Sequence, residues 1–164
     1  MLQKSFSLRG IFALLLTLCV GIFSVLLLGG CATHVPMALQ EADIATKEFK
    51  EPTNGNAGVY VYRNEFIGAA IKMNVFVDDK FIGQTAAHTY HYVEIAPGRH
   101  IFKGSSENDS IISVEVAANK LYYIWQEVKM GVMYARNKLQ LVDKTTGQKG
   151  VIGSKLAISS PISQ

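Results

Sequence analysis

Four histidines, two acidic pairs and a set of tyrosines around one tryptophan are the side chains of this 164-residue chain that could do chemistry. His88 and His91 stand three apart, and His100 follows after Pro97-Gly98. Positions i and i+3 of a strand point to opposite faces, so His88 and His91 cannot both ligate one metal without distortion. A pair with His100 across the turn is the only arrangement left, so no metal site is expected. Asp78/Asp79 and Glu107/Asp109 invite comparison with glycosidases, which need two facing carboxylates about 5–10 Å apart. Both pairs fall in tight turns, where such side chains bond local backbone. Ser105, Ser106, Ser110 and Ser113 lack the Gly-x-Ser-x-Gly elbow. No glycine-rich phosphate loop exists. The residues therefore assign no catalytic group and no cofactor, and the chain is expected not to be an enzyme.

The aromatic set is Tyr90, Tyr92, Tyr122, Tyr123, Trp125 and Tyr134. On a strand Leu121–Met130, one face carries Tyr122, Ile124, Gln126, Val128 and Met130. The other carries Leu121, Tyr123, Trp125, Glu127 and Lys129 and ends in two charges. Charges are almost never fully buried unless paired, so the Ile124/Val128 face belongs inside and the Glu127/Lys129 end in water. Tyr123, Trp125, Glu127 and Lys129 then form an aromatic-polar stripe suited to a glycan or a protein partner. The alternative is that Trp125 is core or caps the sandwich edge.

The two cysteines read differently. Gly10–Leu28 runs uncharged and apolar, Lys4 and Arg9 precede it, and no acidic residue occurs before Glu41. That is a secretory signal, with a positive start, an apolar run and small residues at its end. Leu28-Gly29-Gly30-Cys31 resembles the bacterial lipobox. The resemblance implies cleavage between Gly30 and Cys31 and lipid attachment on Cys31. An uncleaved membrane anchor is the alternative, since the run is long enough to span a bilayer. Either topology leaves the body outside the cytoplasm, because the positive flank stays inside. Ala32 follows the cysteine. In the resembled lipoproteins of two-membrane bacteria, a residue other than Asp there directs sorting to the outer membrane. After cleavage one cysteine is left, so no intramolecular disulfide can form.

Removing Lys4 and Arg9 from 16 basic residues leaves 14 against 13 acidic ones, a formal charge of +1. No electrostatic case for nucleic acid survives. The elements that must position the candidate residues are short strands. Residues 31–56 read as the lipidated N-terminus and a tether. LQEADIATKEF places Leu39, Ala42, Ala45 and Phe49 near helical spacing, for a short helix that docks through Phe49 or serves as a loose spacer. From residue 57 the pattern alternates: VYVYRN (59–64), IKMNVFV and FIGQT (71–85), HTYHYVEI (88–95), RHIFKGSS (99–106), IISVEVA (111–117), LYYIWQEVKM (121–130) and ARNKLQLVD (135–143). Gly83 marks a bulge or a close backbone approach. KTTGQKG (144–150) is a hairpin loop or a helix start, and VIGSKLAI (151–158) a weak strand or helix. Seven or eight short strands with regular turns and no helix of crossover length predict a mostly β chain, an antiparallel β-sandwich over 57–158 with a frayed tail at 159–164.

The ordered blocks VYVYRN, AIKMNVFVDDKFIGQT, VEIAPGRH, SENDS, YYIWQEVKMG and LQLVD resemble a family of bacterial lipoprotein domains known as DUF2846, over about residues 57–157. NVFVDDKFIGQT followed by IAPGRH is also similar to the PEGA-type β-sandwich repeat, with Asp79 where that repeat has its turn glycine. In that pattern His100 is a structural residue bonding backbone at the turn. Neither resemblance implies an enzyme activity. The function expected is a lipid-anchored, non-enzymatic module on the periplasmic face of the outer membrane, holding an envelope protein or cell-wall glycan. A small envelope hydrolase or metal-dependent enzyme is the alternative.

Overall fold

The computed structural model describes residues 34–161. Residues 1–30, expected from the sequence to be a signal, and Cys31 lie outside the described residues. In chain order the elements are α1 (Gln40–Thr46), β1 (Ala57–Arg63), β2 (Met73–Val77), β3 (Lys80–Thr85), β4 (Thr89–Ile95), β5 (Gly98–Ser105), β6 (Asp109–Val116), β7 (Leu121–Met130), β8 (Ala135–Val142), α2 (Lys144–Ile152) and β9 (Lys155–Leu156). The strands make a five-stranded sheet in the order β8-β7-β1-β4-β9 and a four-stranded sheet in the order β3-β2-β5-β6.

Alternation along β1 explains how the layers stack. Val59 and Val61 point one way, and meet Val93, Ile124 and Leu139 of their own sheet and Val75, Val77, Phe102 and Val114 of the other. Each such side chain stabilises the fold by about 1.5–3 kcal/mol on burial. Tyr60 and Tyr62 point the other way, into a second cluster with Tyr90, Tyr123 and Val151. Both faces of β1 are thus covered, and the strand is buried along its whole length. The chain is a sandwich with a third, helical layer over one sheet.

That sheet is mixed. β1 pairs with β7 in parallel, Val61 beside Ile124 and Tyr62 beside Trp125, and β4 pairs with β9 in parallel. A parallel pair needs a crossover connection of a dozen residues or more. Here the whole second sheet supplies it, so no helix is required between β1 and β7.

The β2–β3 hairpin turns on Asp78-Asp79, with Val77 opposite Lys80. Both aspartates have positive φ, 49° and 62°. Asp tolerates that region, which a two-residue turn of type I′ demands at both positions. The register shifts between Val75 and Phe76, where Gly83 and Phe81 stand opposite and Ile82 is the extra residue. Gly83 therefore marks a bulge and a close approach together, because a Cβ there would run into the His91 ring.

Residues 34–49 dock on the body. Phe49 lies 5.5 Å from the Tyr60 ring and 6.2 Å from Tyr123. Lys47 Nζ donates to the Ser154 carbonyl at 2.6 Å, and Met37 bridges to Ala157. Segment 144–152 is a helix whose start is capped by Asp143, which accepts from the Thr146 N–H at 3.0 Å. Among the described residues no helix is long and apolar enough to cross a membrane.

Candidate functional site

The two faces of β7 divide as their charges require. Ile124, Gln126 and Val128 are buried in the sandwich; Glu127 is half-buried and Lys129 exposed. Tyr123 corrects the picture of an accessible aromatic stripe. It is buried, because α2 lies directly over it, and a Cβ at Gly147 would collide with its ring. What reaches the surface is Trp125, Glu127 and Lys129. The last two are spent on each other, and Glu127 also accepts from Gln140 at 2.7 Å.

Trp125 is half-buried and forms one wall of a groove of about 350 Å³ between β7, the end of β1 and α2. Tyr62 forms the floor, while His88, Asn64, Thr146 and Lys149 make a polar rim. Gly150 closes the back, where the helix backbone approaches the Tyr62 ring so closely that a Cβ would overlap it. The indole Nε1 of Trp125 is buried and has no acceptor. A buried donor without a partner costs about 1–3 kcal/mol. Burial pushes the Tyr62 hydroxyl up to about 12, with Glu65 and Asp143 adding to it, so the floor of the groove is neutral at ordinary pH. An aromatic wall with polar donors at its rim suits stacking and orientation of a small polar ligand, and the volume lies at the small end of ligand pockets.

The parallel pairing of β1 with β7 sets Tyr62 beside Trp125, which no local pattern could show. Tyr62, Asn64, Thr146 and Lys149 were therefore missed as candidate residues. His88 was considered only for metal binding. It sits in the turn before β4 with φ 53°.

Below the groove, hydroxyls tie α1 to the sheet. Tyr60 donates to the Thr46 carbonyl at 2.8 Å, and Tyr90 to Asp43 Oδ1 at 2.9 Å. Tyr60 stacks on Tyr123 with centroids 5.2 Å apart. Burial works to raise the Asp43 carboxyl, but hydrogen bonds from Lys47, Tyr90 and the Leu156 N–H outweigh it and hold the pKa below the usual value.

His91 and His100 are bonded at both ring nitrogens. His100 contacts Asp78 Oδ2 at 2.6 Å and the Ala96 carbonyl at 2.8 Å, so it braces the turn. His91 is buried between Ser159 Oγ and the Gln84 carbonyl, each at 3.1 Å, and burial lowers its pKa. Among the described residues no group of three or more His, Cys, Asp or Glu is placed to hold a metal ion. One member of each acidic pair acts on backbone, and Asp79 instead faces Lys103 at 3.5 Å. Asp78 accepts from the Ile101 N–H at 2.8 Å. Glu107 accepts from the N–H groups of Val132, Met133 and Tyr134 at 2.6–3.0 Å, and these bonds hold its pKa below the usual carboxylate range.

A family model, a protein of unknown function (DUF2846), matches residues 53–137, which span β1 to the start of β8 and include Tyr62, His88 and Trp125. The chain belongs to the DUF2846 family. An uncharacterized protein of Haemophilus influenzae is 38% identical to this DUF2846 chain over 135 residues, 82% of the chain and 80% of that protein. No solved structure matches. The narrower likeness of residues 74–100 to PEGA-type repeats is not confirmed. The DUF2846 match stops before α2, so half the rim of the Trp125 groove lies outside the matched region.

Proposed function

We propose that the chain is a lipid-anchored lipoprotein of the bacterial envelope whose body is a non-enzymatic binding module. Cys31 carries the anchor, and the Trp125 groove takes the ligand. The observation that carries the binding role is the groove itself, an aromatic wall and floor under a polar rim. Its rim, with Lys149, Asn64 and Thr146, favours a polar, oxygen-rich partner such as a cell-wall glycan over an apolar one. The lipobox after a charged start and an apolar run supports the anchor. Ala32 supports the outer membrane as its address.

An envelope hydrolase has less behind it. His91 and His100 spend both ring nitrogens on structural bonds, leaving neither poised as a general base.

The anchor is tested by Cys31→Ala, which should leave unprocessed precursor in the inner membrane. Normal processing of that variant would end the claim. The binding role is tested by titrating the protein with soluble cell-wall glycan fragments while following Trp125 emission, the single tryptophan. Saturable change that is lost in Lys149→Ala supports it; no change at any glycan concentration overturns it.

A further inference from the structure

The end of the sandwich where β1 and β7 finish carries two loops, 64–72 and 131–134. Six large apolar residues, Phe66, Ile67, Met130, Val132, Met133 and Tyr134, are 59–92% exposed there. Soluble surfaces seldom gather so many in one place. The loops adjoin each other, since a Cβ at Gly68 would lie 3.0 Å from Ala135 Cβ and 3.4 Å from Val128 Cγ1.

Their backbones are fixed from beneath. Arg63 is fully buried and donates to the carbonyls of Ile67, Gly68 and Ile71 at 2.7–3.1 Å. Glu107 gathers three N–H groups of the second loop. Glu65 accepts from the Val128 N–H at 3.3 Å. Three charged side chains are thus spent on presenting apolar groups outward. Lys72 and Arg136 are exposed around the loops, whereas Glu65 and Glu107 turn their carboxylates into the backbone.

Only a short stretch of chain separates the described body from Cys31. Val35 packs on Ala86 and Ala157, just beyond β3 and β9. Ala86 leads to Thr89, which pairs with Arg63 at the same end of the sheet. Cys31 is four residues earlier, within about 14 Å of Val35 even for a fully extended chain. A lipid on Cys31 would therefore keep the body on a short tether to a bilayer.

We propose that loops 64–72 and 131–134 form a membrane-contacting tip that enters the interfacial layer of a bilayer carrying anionic headgroups. This rests on the lipid-anchored reading above. Aromatic and Met/Val side chains occupy the apolar boundary, and Lys72 and Arg136 meet the headgroups. The tip fixes the body's orientation, which an acyl anchor alone leaves free.

The test uses the lipidated protein reconstituted in vesicles of phosphatidylethanolamine and phosphatidylglycerol. Met133→Cys carries an environment-sensitive fluorophore, and Ala118→Cys, in the turn at the opposite end, is the control. In the acylated mature chain the introduced thiol is the only one. The expected result is blue-shifted emission at 133 and severalfold stronger quenching by shallow brominated lipid than at 118. Equal quenching at both positions overturns the proposal. Shielding at 133 that rises with protein density but ignores brominated lipid also overturns it, and assigns the loops to a second copy or a protein partner. The acyl mass on Cys31, measured on the same sample, reports the anchor separately. An unacylated cysteine sinks the anchored reading, and probe quenching on added vesicles then decides the tip by itself.

Discussion

Gln126 is the polar member of an otherwise apolar strand face, and it is fully buried. Thr85 donates to its Oε1 at 2.6 Å, and its amide is 3.5 Å from Asn137 Oδ1. Asn137 in turn bonds Asn108. Gly104 leaves the space for this cluster, since a Cβ there would meet both amides. Thr85→Val keeps the shape but strands a buried acceptor, so we expect a loss of about 1–3 kcal/mol in denaturant unfolding. A change below a few tenths would mean that Gln126 finds another donor. His91 makes a second prediction. Its folded pKa lies below the ordinary 6.5 because the ring is buried. Between those two values the unfolded chain binds the extra proton, so stability falls as pH falls. Asp43 and Asp78, also lowered, lose their contribution only as pH falls through values below 3.8, so the windows separate. Melting temperatures of wild type and His91→Asn from pH 7.5 to 5 should diverge in slope, the variant being flatter. Parallel slopes would remove His91 from the account.

At the scale of elements, α2 shows why part of the chain could not be read locally. Two glycines in nine residues make Lys144–Ile152 a poor helix by propensity. The helix stands because Gly147 and Gly150 let it lie flat on Tyr123 and Tyr62, and Asp143 caps its start. Gly150→Ala sets two effects against each other. Helix propensity favours Ala by about 1 kcal/mol. Overpacking against the Tyr62 ring costs about 1–3 kcal/mol. The ring lies in the fully buried cluster and cannot give way, so the substitution should destabilise; a rise in melting temperature would show that α2 slides freely. The strands, by contrast, were legible because each alternates along its own length. Val59/Val61 against Tyr60/Tyr62 gave both faces of β1, and Ile124/Val128 against Glu127/Lys129 gave those of β7. Burial of Tyr123 was hidden, since it depends on the helix above. The sequence alone leaves the short helix of the tether at 31–56 open between dock and spacer, and the Tyr60, Tyr90 and Asp43 bonds decide for the dock. A fragment 57–158 should therefore melt below 34–161, because it lays Tyr60 and Tyr90 open. Equal melting curves would make α1 dispensable.

For the whole molecule, the Trp125 groove and the apolar loops open toward the same end, since Tyr62, Asn64 and His88 sit where β1 finishes and β4 begins. A groove ligand would then be met close to the plane of the bilayer. Neither feature was visible in the strand pattern, for both depend on β1 lying beside β7. That pairing, and the closure of β9 on β4, join parts of the chain far apart in sequence. Leu156 donates its N–H to Asp43, and Ala38 donates to Leu156, so the first and last described elements complete one another. The consequence concerns time. While the chain is still emerging, β1 has no β7 beside it, and the tyrosine cluster has no lid until residues 144–157 arrive. The body cannot begin as a stable N-terminal piece and grow; it closes late and all together. A chain that stays open until its final residues can be held unfolded by whatever carries it, and commits to its shape only upon release.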